Sequence, residues 1–250
     1  MTDVYVTEIF SAIQGEAALV GERQVFVRLA GCNIRCSYCD QPEALERLAG
    51  PCRVEQSPGR RDWAERSSPF PVEDAVAAVG ALYRSLPHHS VSLTGGEPLF
   101  QRAAEPLAAA LAGEGRAVYL ETNGMLTAAL VRVAPHLTYL SMDLKLPSVD
   151  GEAVHLETHR RFLAVAHQVP HVFCKIVLGP ATDEAELVAA VAMVAETAPG
   201  TEVFLQPVTP FGGVARSPTP AQTLDLQALA LRTYSRVRVV PQTHKLIGQL

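Results

Sequence analysis

The segment Gln24–Asp40, QVFVRLAGCNIRCSYCD, joins an apolar run directly to three closely spaced cysteines. Cys32, Cys36 and Cys39 have the spacing C-x3-C-x2-C, with an aromatic residue just before the last cysteine. Thiolates at this spacing can converge on one inorganic centre, and iron–sulfur clusters are bound by such thiolates. Three ligands to a four-iron cluster leave one iron open, where an external molecule can bind and react. The segment therefore predicts a strand followed by a 4Fe-4S site.

A zinc site and unpaired structural thiols are the alternatives for these cysteines. Structural zinc usually has four protein ligands. The other cysteines, Cys52 and Cys174, are isolated in the chain, and no close histidine completes a ligand set. The spacing favours a cluster over either alternative.

The composition indicates the class of protein. A chain of 250 residues, 48% hydrophobic and 19% charged, suits one large α/β domain with a sizeable core. The formal net charge of −5 does not favour nucleic-acid binding. The sequence shows no signal peptide and no apolar stretch long enough to cross a bilayer, and its cysteine usage suits a reducing compartment. We therefore expect one cytoplasmic domain spanning residues 1–250, with neither a membrane nor a nucleic acid as partner.

Short apolar runs alternate with alanine- and leucine-rich runs along the chain. The predicted strands are Gln24–Leu29, Val91–Leu93, Ala117–Glu121, Leu137–Met142, Val172–Val177, Glu202–Leu205 and Val237–Val240. The predicted helices are Val72–Leu86, Ala103–Ala112, Met125–Ala134, Ala153–Val169, Asp183–Glu196 and Pro220–Tyr234. This alternation predicts an α/β fold with a mostly parallel sheet and helices on one face. A partial barrel and a flat doubly wound sheet fit the pattern almost equally well.

The segment 43–71 interrupts the alternation. It is rich in proline, glycine and charged residues, and a loop this long inside a compact domain is usually functional or disordered. Its arginines, Arg53, Arg60, Arg61 and Arg66, are candidates to dock an acidic partner protein. The alternative, which the composition favours, is a solvated mobile insertion.

Polar residues follow the predicted strands. In a parallel α/β sheet, ligands bind beyond the carboxyl ends of the strands. Thr94–Pro98, TGGEP, has two glycines that allow close backbone approach to a ligand, and its Glu97 offers a carboxylate to an ammonium group. Later strands are followed by Glu121, Asn123, Ser141, Asp143, Lys145 and Gln206. Each segment alone is also compatible with an ordinary turn or helix cap, and Lys175 is either an interior residue or an edge-strand charge.

The cysteine motif followed by TGGEP resembles the signature of radical S-adenosylmethionine (SAM) enzymes. Three further segments narrow the resemblance: SAIQGE at 11–16, ETNG at 121–124 and PQTHK at 241–245. Together they resemble the 7-carboxy-7-deazaguanine synthase family from Glu8 to Leu250, and the chain departs from the family mainly in the segment 43–71. The resemblance implies the partial β/α barrel of the superfamily.

The resemblance also implies the chemistry. The three cysteines would hold a 4Fe-4S cluster, with SAM chelated to the open iron. In this family an electron from the cluster cleaves SAM to a 5′-deoxyadenosyl radical, which removes hydrogen from C6 of 6-carboxy-5,6,7,8-tetrahydropterin. The ring contracts, ammonia leaves, and 7-carboxy-7-deazaguanine is formed for queuosine and related deazapurines. Return of the hydrogen would regenerate SAM as a cofactor.

The resemblance implies contact residues for both SAM and the pterin. By resemblance, the SAM contacts are Gly96, Glu97, Glu121, Asn123, Ser141, Asp143, Lys145 and Gln206. By resemblance, the pterin contacts are Ile13, Gln14, Gly15, Glu16, Arg28, Thr94, His244 and Leu250. Arg28 would bind the substrate carboxylate, because a guanidinium suits bidentate contact, and Leu250 would end a short tail folded over the substrate. A surface ion pair and an ordinary surface histidine are the alternatives for Arg28 and His244.

The resemblance is incomplete at the magnesium position. Family members commonly carry threonine after the Cys-Asp pair, and its hydroxyl ligates a Mg2+ ion that contacts the substrate. Here the residue is Gln41, whose amide oxygen can also ligate Mg2+ but has a longer reach.

The resemblance implies a homodimer, and a flavodoxin-like electron donor would suit the arginines of the segment 43–71. Two alternatives remain for the whole chain. One is another radical SAM enzyme, such as a glycyl-radical activase. The other is a non-enzymatic cluster- or zinc-binding module.

Overall fold

The computed structural model describes residues 2–47, 49–151, 156–211 and 213–249. The strands are β1 (Asp3–Val4), β2 (Val6–Ile13), β3 (Arg23–Leu29), β4 (Gly50–Glu55), β5 (Trp63–Ser68), β6 (Phe70–Pro71), β7 (Ser90–Gly95), β8 (Val118–Thr122), β9 (Tyr139–Asp143), β10 (His171–Leu178), β11 (Glu202–Pro207) and β12 (Val237–Val239). The helices are α1 (Val72–Ser85), α2 (Ala104–Gly113), α3 (Thr127–Val133), α4 (Pro147–Asp150), α5 (Leu156–Ala166), α6 (Glu184–Thr197), α7 (Pro220–Thr233) and α8 (Thr243–Leu246). No helix among these residues is long and apolar enough to cross a membrane.

One large sheet organises the molecule, with the strand order β12-β11-β10-β9-β8-β7-β3-β2-β4-β5. From β3 through β7 to β12 the neighbouring strands are parallel. β2 pairs antiparallel with β3 and parallel with β4, and β4 pairs antiparallel with β5. Within the described ranges no pairing joins the edge strands β12 and β5, so the sheet is open. The predicted mostly parallel α/β fold is confirmed.

The helices pack side by side on one face of the sheet. Contacts run from α1 to α2, α2 to α3, α3 to α5, α5 to α6 and α6 to α7. Between this layer and the sheet lies the main apolar core, to which strand residues such as Val91, Leu120 and Ile176 contribute fully buried side chains. The opposite face carries a second apolar cluster, which includes Tyr119 and Phe173. The predicted placement of the helices is confirmed.

The predicted elements of the parallel region agree with the structure to within a few residues. The predicted helix at 153–169 is found as α5, and residues 152–155 lie outside the described part of the chain. Sequence reasoning did not predict β2, although it is the antiparallel neighbour of β3.

The expectation of an irregular, mobile segment at 43–71 is wrong for most of its length, because β4 and β5 form a hairpin (residues 50–68) that extends the main sheet. Cys52 and Val54 are buried while Arg53 is exposed, so a strand alternation is present. Proline and exposed charges obscured this alternation, as is common for an edge strand. Long-range contacts hold the hairpin: the Ser11 backbone N–H donates to Glu55 at 2.8 Å, and Arg53 pairs with Glu8.

Candidate active site

The site lies at the carboxyl ends of the parallel strands, on the face without helices. Side chains two residues apart on a strand share a face, so the buried aromatic residues of this face are each followed by a polar residue nearer the strand end. The pairs are Phe26 and Arg28, Tyr119 and Glu121, Phe173 and Lys175, and Phe204 and Gln206. The four polar side chains line a cavity, and of the aromatic residues Phe26 also lines it.

The three cysteines of the motif reach this cavity. Cys32, Cys36 and Cys39 all line it, and each is a partly exposed free thiol. Backbone contacts fix their loop: the Cys32 N–H donates to the Leu45 carbonyl at 3.0 Å, and the Ser37 N–H donates to the Asp150 carbonyl at 3.0 Å.

The cysteine donor set fits a cluster better than a single ion. No three His, Cys, Asp or Glu side chains of the described residues are placed to hold one metal ion. A 4Fe-4S cluster would instead take one thiolate on each of three irons, so its ligands stand further apart. Burial raises the pKa of Cys32, and it raises the pKa of Cys36 to about 12, so a thiolate here needs a cationic partner such as iron.

The two glycines after β7 pack against the cysteine loop. Gly95 has a φ of +124°, and a Cβ on Gly96 would lie 2.3 Å from the Gly31 carbonyl oxygen and 2.5 Å from that of Ala44. Only glycine permits this approach. The Gly96 N–H donates to the Leu29 carbonyl at 2.9 Å, so the turn is also tied to the end of β3.

Glu97 does not line the cavity, unlike the glycines before it. Its carboxylate is fully buried and accepts hydrogen bonds from the Leu99 N–H at 3.0 Å, the Thr122 hydroxyl at 2.9 Å and the Asn123 N–H at 2.7 Å. Burial raises its pKa to about 7. In this structure the side chain joins the β7 and β8 ends beneath the cavity, and the expected contact of Glu97 with a ligand ammonium stays a prediction.

Most of the other residues expected at SAM line the cavity. They are Gly96, Glu121, Asn123, Asp143, Lys145 and Gln206. Ser141 is the exception, because it is buried behind the wall. Asn123 also donates to Asn33 of the cysteine loop at 2.8 Å. The Gln206 Oε1 atom is buried without a hydrogen-bond partner in the described structure, which leaves an acceptor for a polar ligand.

Four charged side chains alternate in sign across the wall. Lys175 pairs with Glu16 and, at 3.1 Å, with Asp143, which pairs at 2.9 Å with Lys145. Lys175 therefore faces the interior. Although burial acts to raise the pKa of Glu16, Lys175 and the Gln242 amide lower it to about 2. Burial acts to lower the pKa of Lys175, but Asp143 and Glu16 raise it, so Lys175 keeps its charge.

The residues expected at the pterin lie together on the other side of the cavity. Ile13, Gln14, Gly15, Glu16, Arg28 and Thr94 all line it. Arg28 uses its Nε to pair with Glu8 at 3.2 Å and lies over the Phe10 ring. Glu121 accepts from Thr94 at 2.6 Å and from Gln14 at 2.8 Å. Glu121 was expected to contact SAM, but here it contacts two of the residues that were expected to contact the pterin.

The C-terminal tail (residues 241–249) covers this side. The Thr243 N–H donates to the Gly15 carbonyl at 2.9 Å, and His244 is so close that a Cβ on Gly15 would lie 2.2 Å from its Nδ1. His244 lines the cavity, and burial lowers its pKa. Leu250, expected to supply a terminal carboxylate, lies outside the described residues.

Several residues of the site were missed by sequence reasoning. Lys245 pairs with Asp40 at 2.6 Å, Gln242 donates to Glu16 at 2.8 Å, and Tyr38 lies under the Lys145 ammonium. The sequence signals for them were the aromatic position before the last cysteine for Tyr38 and the PQTHK segment for Gln242 and Lys245. Gln41, the expected magnesium ligand, lines the cavity beside Asp40.

This arrangement agrees with a comparison against known families. The radical SAM superfamily profile matches residues 27–194, more than half of the chain. The chain therefore belongs to the radical SAM superfamily and is a radical SAM enzyme, a class that uses a 4Fe-4S cluster and SAM.

Curated relatives identify the family within that class. The 7-carboxy-7-deazaguanine synthase of Geobacter sulfurreducens is 41% identical over 97% of this chain and 96% of its own length. That of Methanothermobacter thermautotrophicus is 31% identical over 97% of this chain and 96% of its own. The crystal structure of QueE from Escherichia coli shares the fold, with a TM-score of 0.62 at 22% identity, covering 96% of this chain and 94% of that one. The chain belongs to the 7-carboxy-7-deazaguanine synthase family.

Proposed function

We propose that this protein converts 6-carboxy-5,6,7,8-tetrahydropterin to 7-carboxy-7-deazaguanine, with ring contraction and release of ammonia. One observation carries the proposal. The amino-terminal Gly15-Glu16 segment and the C-terminal Thr243-His244 segment are in direct contact over the same cavity that the three cysteines line. These two segments resemble the pterin-binding segments of the 7-carboxy-7-deazaguanine synthase family, and they are not part of the general radical SAM signature.

The donor set fits the cofactors of the superfamily. Cys32, Cys36 and Cys39 would hold the cluster, which when bound supplies the electron for radical formation from SAM. Beside them, the Gly95-Gly96 backbone, the Asn123 side chain and the unpartnered Gln206 oxygen would hold SAM. Their role is to orient the reacting groups and exclude water.

The pterin side offers complementary groups. Arg28 is held by Glu8 through its Nε atom, which leaves the ends of its guanidinium fork for the substrate carboxylate. The carboxylates of Glu16 and Glu121 are acceptors for the amino and ring N–H donors of a pterin. The product equals the substrate less ammonia, so no external oxidant is needed and the hydrogen removed from C6 is returned.

Gln41 is the candidate ligand for Mg2+. Its side chain lines the cavity next to the Lys245–Asp40 ion pair. An amide oxygen is an acceptable Mg2+ ligand. We expect the magnesium dependence of turnover to be weak in this protein and to increase in Gln41→Thr. Equal magnesium dependence in both proteins would argue against a metal at this position.

The partner proteins belong to the same proposal. A homodimer is consistent with the exposed side chains of Leu224 and Leu231 on α7. The case for a flavodoxin-like donor on the arginines of the segment 43–71 is weaker than the sequence suggested. Arg53 pairs with Glu8, and Arg61 donates to the Gly248 carbonyl at 2.7 Å, so only Arg60 and Arg66 of the four remain as candidates.

The deciding experiment is anaerobic turnover. The reconstituted, reduced protein is incubated with SAM and 6-carboxytetrahydropterin, and 7-carboxy-7-deazaguanine is sought by mass spectrometry. We expect product without net consumption of SAM. Formation of 5′-deoxyadenosine with no deazapurine would show a radical SAM enzyme acting on another substrate.

A further inference from the structure

Gln24 is an unusual residue for its position. It lies in β3, its side chain is fully buried, and it is not part of the cavity wall. A buried amide is costly unless its polar atoms are hydrogen-bonded. Its Nε2 donates to the Ser90 hydroxyl at 2.8 Å, and its Oε1 accepts from the Gln14 Nε2 at 3.0 Å.

Gln14 extends this chain into the cavity. Its Nε2 donates a second hydrogen bond to Glu121 at 2.8 Å, and its Oε1 accepts from the Glu16 N–H at 3.0 Å. The side-chain amide of Gln14 is therefore committed to its neighbours rather than to a ligand. It connects the carboxylate of Glu121 to the backbone of Glu16, the two acidic residues that face the pterin position.

Three contacts hold the Gln14 amide in one orientation, and Gln24 supplies one of them. An amide can rotate by half a turn and exchange its oxygen and nitrogen at little steric cost. Here the Gln24 Oε1 and the Glu121 carboxylate both accept from the Gln14 NH2 group, and the Glu16 N–H donates to the Gln14 oxygen. With the opposite orientation, the Gln14 oxygen would face the Glu121 carboxylate and its NH2 group would face the Glu16 N–H.

We infer that Gln24 is a positioning residue for pterin recognition, acting through Gln14 on Glu121 and Glu16. The inference rests on the proposed function, because it assigns these carboxylates to the pterin. Glu121 also accepts from Thr94 at 2.6 Å, so the orientation that Gln24 helps to hold extends to that hydroxyl. The far end of the chain is His89, whose Nδ1 lies 3.0 Å from the Ser90 oxygen.

Strand β7 offers a matched pair for the test. Ser90 and Ser92 are both fully buried, and they lie on the same face because they are two residues apart. Ser90 belongs to the chain, whereas the Ser92 hydroxyl has no hydrogen-bond partner in the described structure. Loss of the hydroxyl should therefore change KM for the pterin at Ser90 and leave it unchanged at Ser92.

The experiment measures KM for 6-carboxytetrahydropterin and for SAM, with melting temperature as a check on folding. In Gln24→Met we expect KM for the pterin to rise about tenfold, the scale of one lost buried hydrogen bond, with KM for SAM unchanged and more 5′-deoxyadenosine released per product. Ser90→Ala should give a smaller shift of the same kind, and Ser92→Ala should behave as wild type.

Each outcome decides a different point. A rise in both KM values, or equal effects in Ser90→Ala and Ser92→Ala, would reduce Gln24 to a packing residue and overturn the inference. If Gln24→Met does not fold, the comparison of Ser90→Ala with Ser92→Ala still tests the inference. Wild-type protein that neither turns over nor binds the pterin, while it still cleaves SAM, would overturn the proposed function itself and this inference with it.

Discussion

The parallel region of the molecule and its C-terminal tail are held by different forces. The parallel region, β3 and β7–β12 with their helices, packs on one apolar core, and residues such as Leu93 and Leu205 are fully buried. A cover formed by β2, β4, β5 and the C-terminal tail closes the pterin side, and β2 and β4 add Ile9 and Val54 to the same core. Helix α8 of the tail has no buried residue, and polar contacts hold the tail in place.

The difference separates cofactor binding from substrate recognition. Burial of apolar side chains stabilises the parallel region, and the cysteine loop and glycine turn are attached to its strand ends. Exposed polar contacts contribute little stability each, so the tail can be altered without unfolding the domain. Substitutions in the first region should therefore affect the cofactors, and substitutions in the second should affect the pterin alone.

The largest expected effect is loss of the cluster. Cys36→Ala removes one of three thiolates that line the cavity, so we expect turnover and SAM cleavage to be abolished and bound iron to be lost. Iron content and the absorbance of the anaerobically purified protein measure this. Cys52→Ala, in the cover, is the control, and it should keep its iron. Full activity in Cys36→Ala would exclude the mechanism.

Next comes the contact between the glycine turn and the cysteine loop. In Gly96→Ala the new Cβ meets two backbone carbonyl oxygens, at 2.3 and 2.5 Å, so the turn must shift. We expect turnover to fall about a hundredfold, because a displacement of this scale misaligns reacting groups. Gly113→Ala, in α2, is the control, because its Cβ meets nothing within 4 Å. A wild-type rate in Gly96→Ala would show that the turn does not approach the cofactors closely.

A third prediction concerns acid stability at the junction of the two regions. The pKa of Glu16 is lowered from 4.5 to about 2 in the folded protein. Its stabilising contribution is therefore fully present above pH 4.5 and is lost as the pH falls toward 2, by up to about 3 kcal/mol. Unfolding free energies measured across this window should fall less steeply in Glu16→Gln. The same pH dependence of the unfolding free energy in both proteins would show that the ion pair with Lys175 does not stabilise the folded state.

The smallest expected effect tests the cover alone. Arg61 of the hairpin donates to the Gly248 carbonyl of the tail at 2.7 Å, in an exposed contact. Arg61→Ala should raise KM for the pterin about threefold, as expected for one weak exposed hydrogen bond, with an unchanged melting temperature. Arg60→Ala is the matched control, because Arg60 lines a separate surface cleft. Equal KM values in the two variants would show that the hairpin does not help to hold the tail.

Features that depend on local interactions could be predicted from the sequence, and features that depend on long-range contacts could not. The helices and parallel strands were predictable because the alternation of apolar and polar residues is local. The hydrogen bonds of Glu97 could not be predicted, because its partner Asn123 is 26 residues away. The hairpin was missed because proline and exposed charges hide its alternation, and its anchor runs from Glu55 to Ser11 across 44 residues.

The sequence by itself determined the chemistry of the site. Three cysteines at a fixed spacing, two glycines at a strand end and a set of strand-end polar residues are local features, and their chemical properties do not depend on distant partners. Only the tertiary structure decided how these residues are used. Gln14 meets Glu121 across 107 residues, and Gln242 meets Glu16 across 226, so these carboxylates acquire their orientation and pKa values only when the cover closes on the parallel region. Hydrogen-bond partners so far apart in the chain leave no periodic pattern in the sequence.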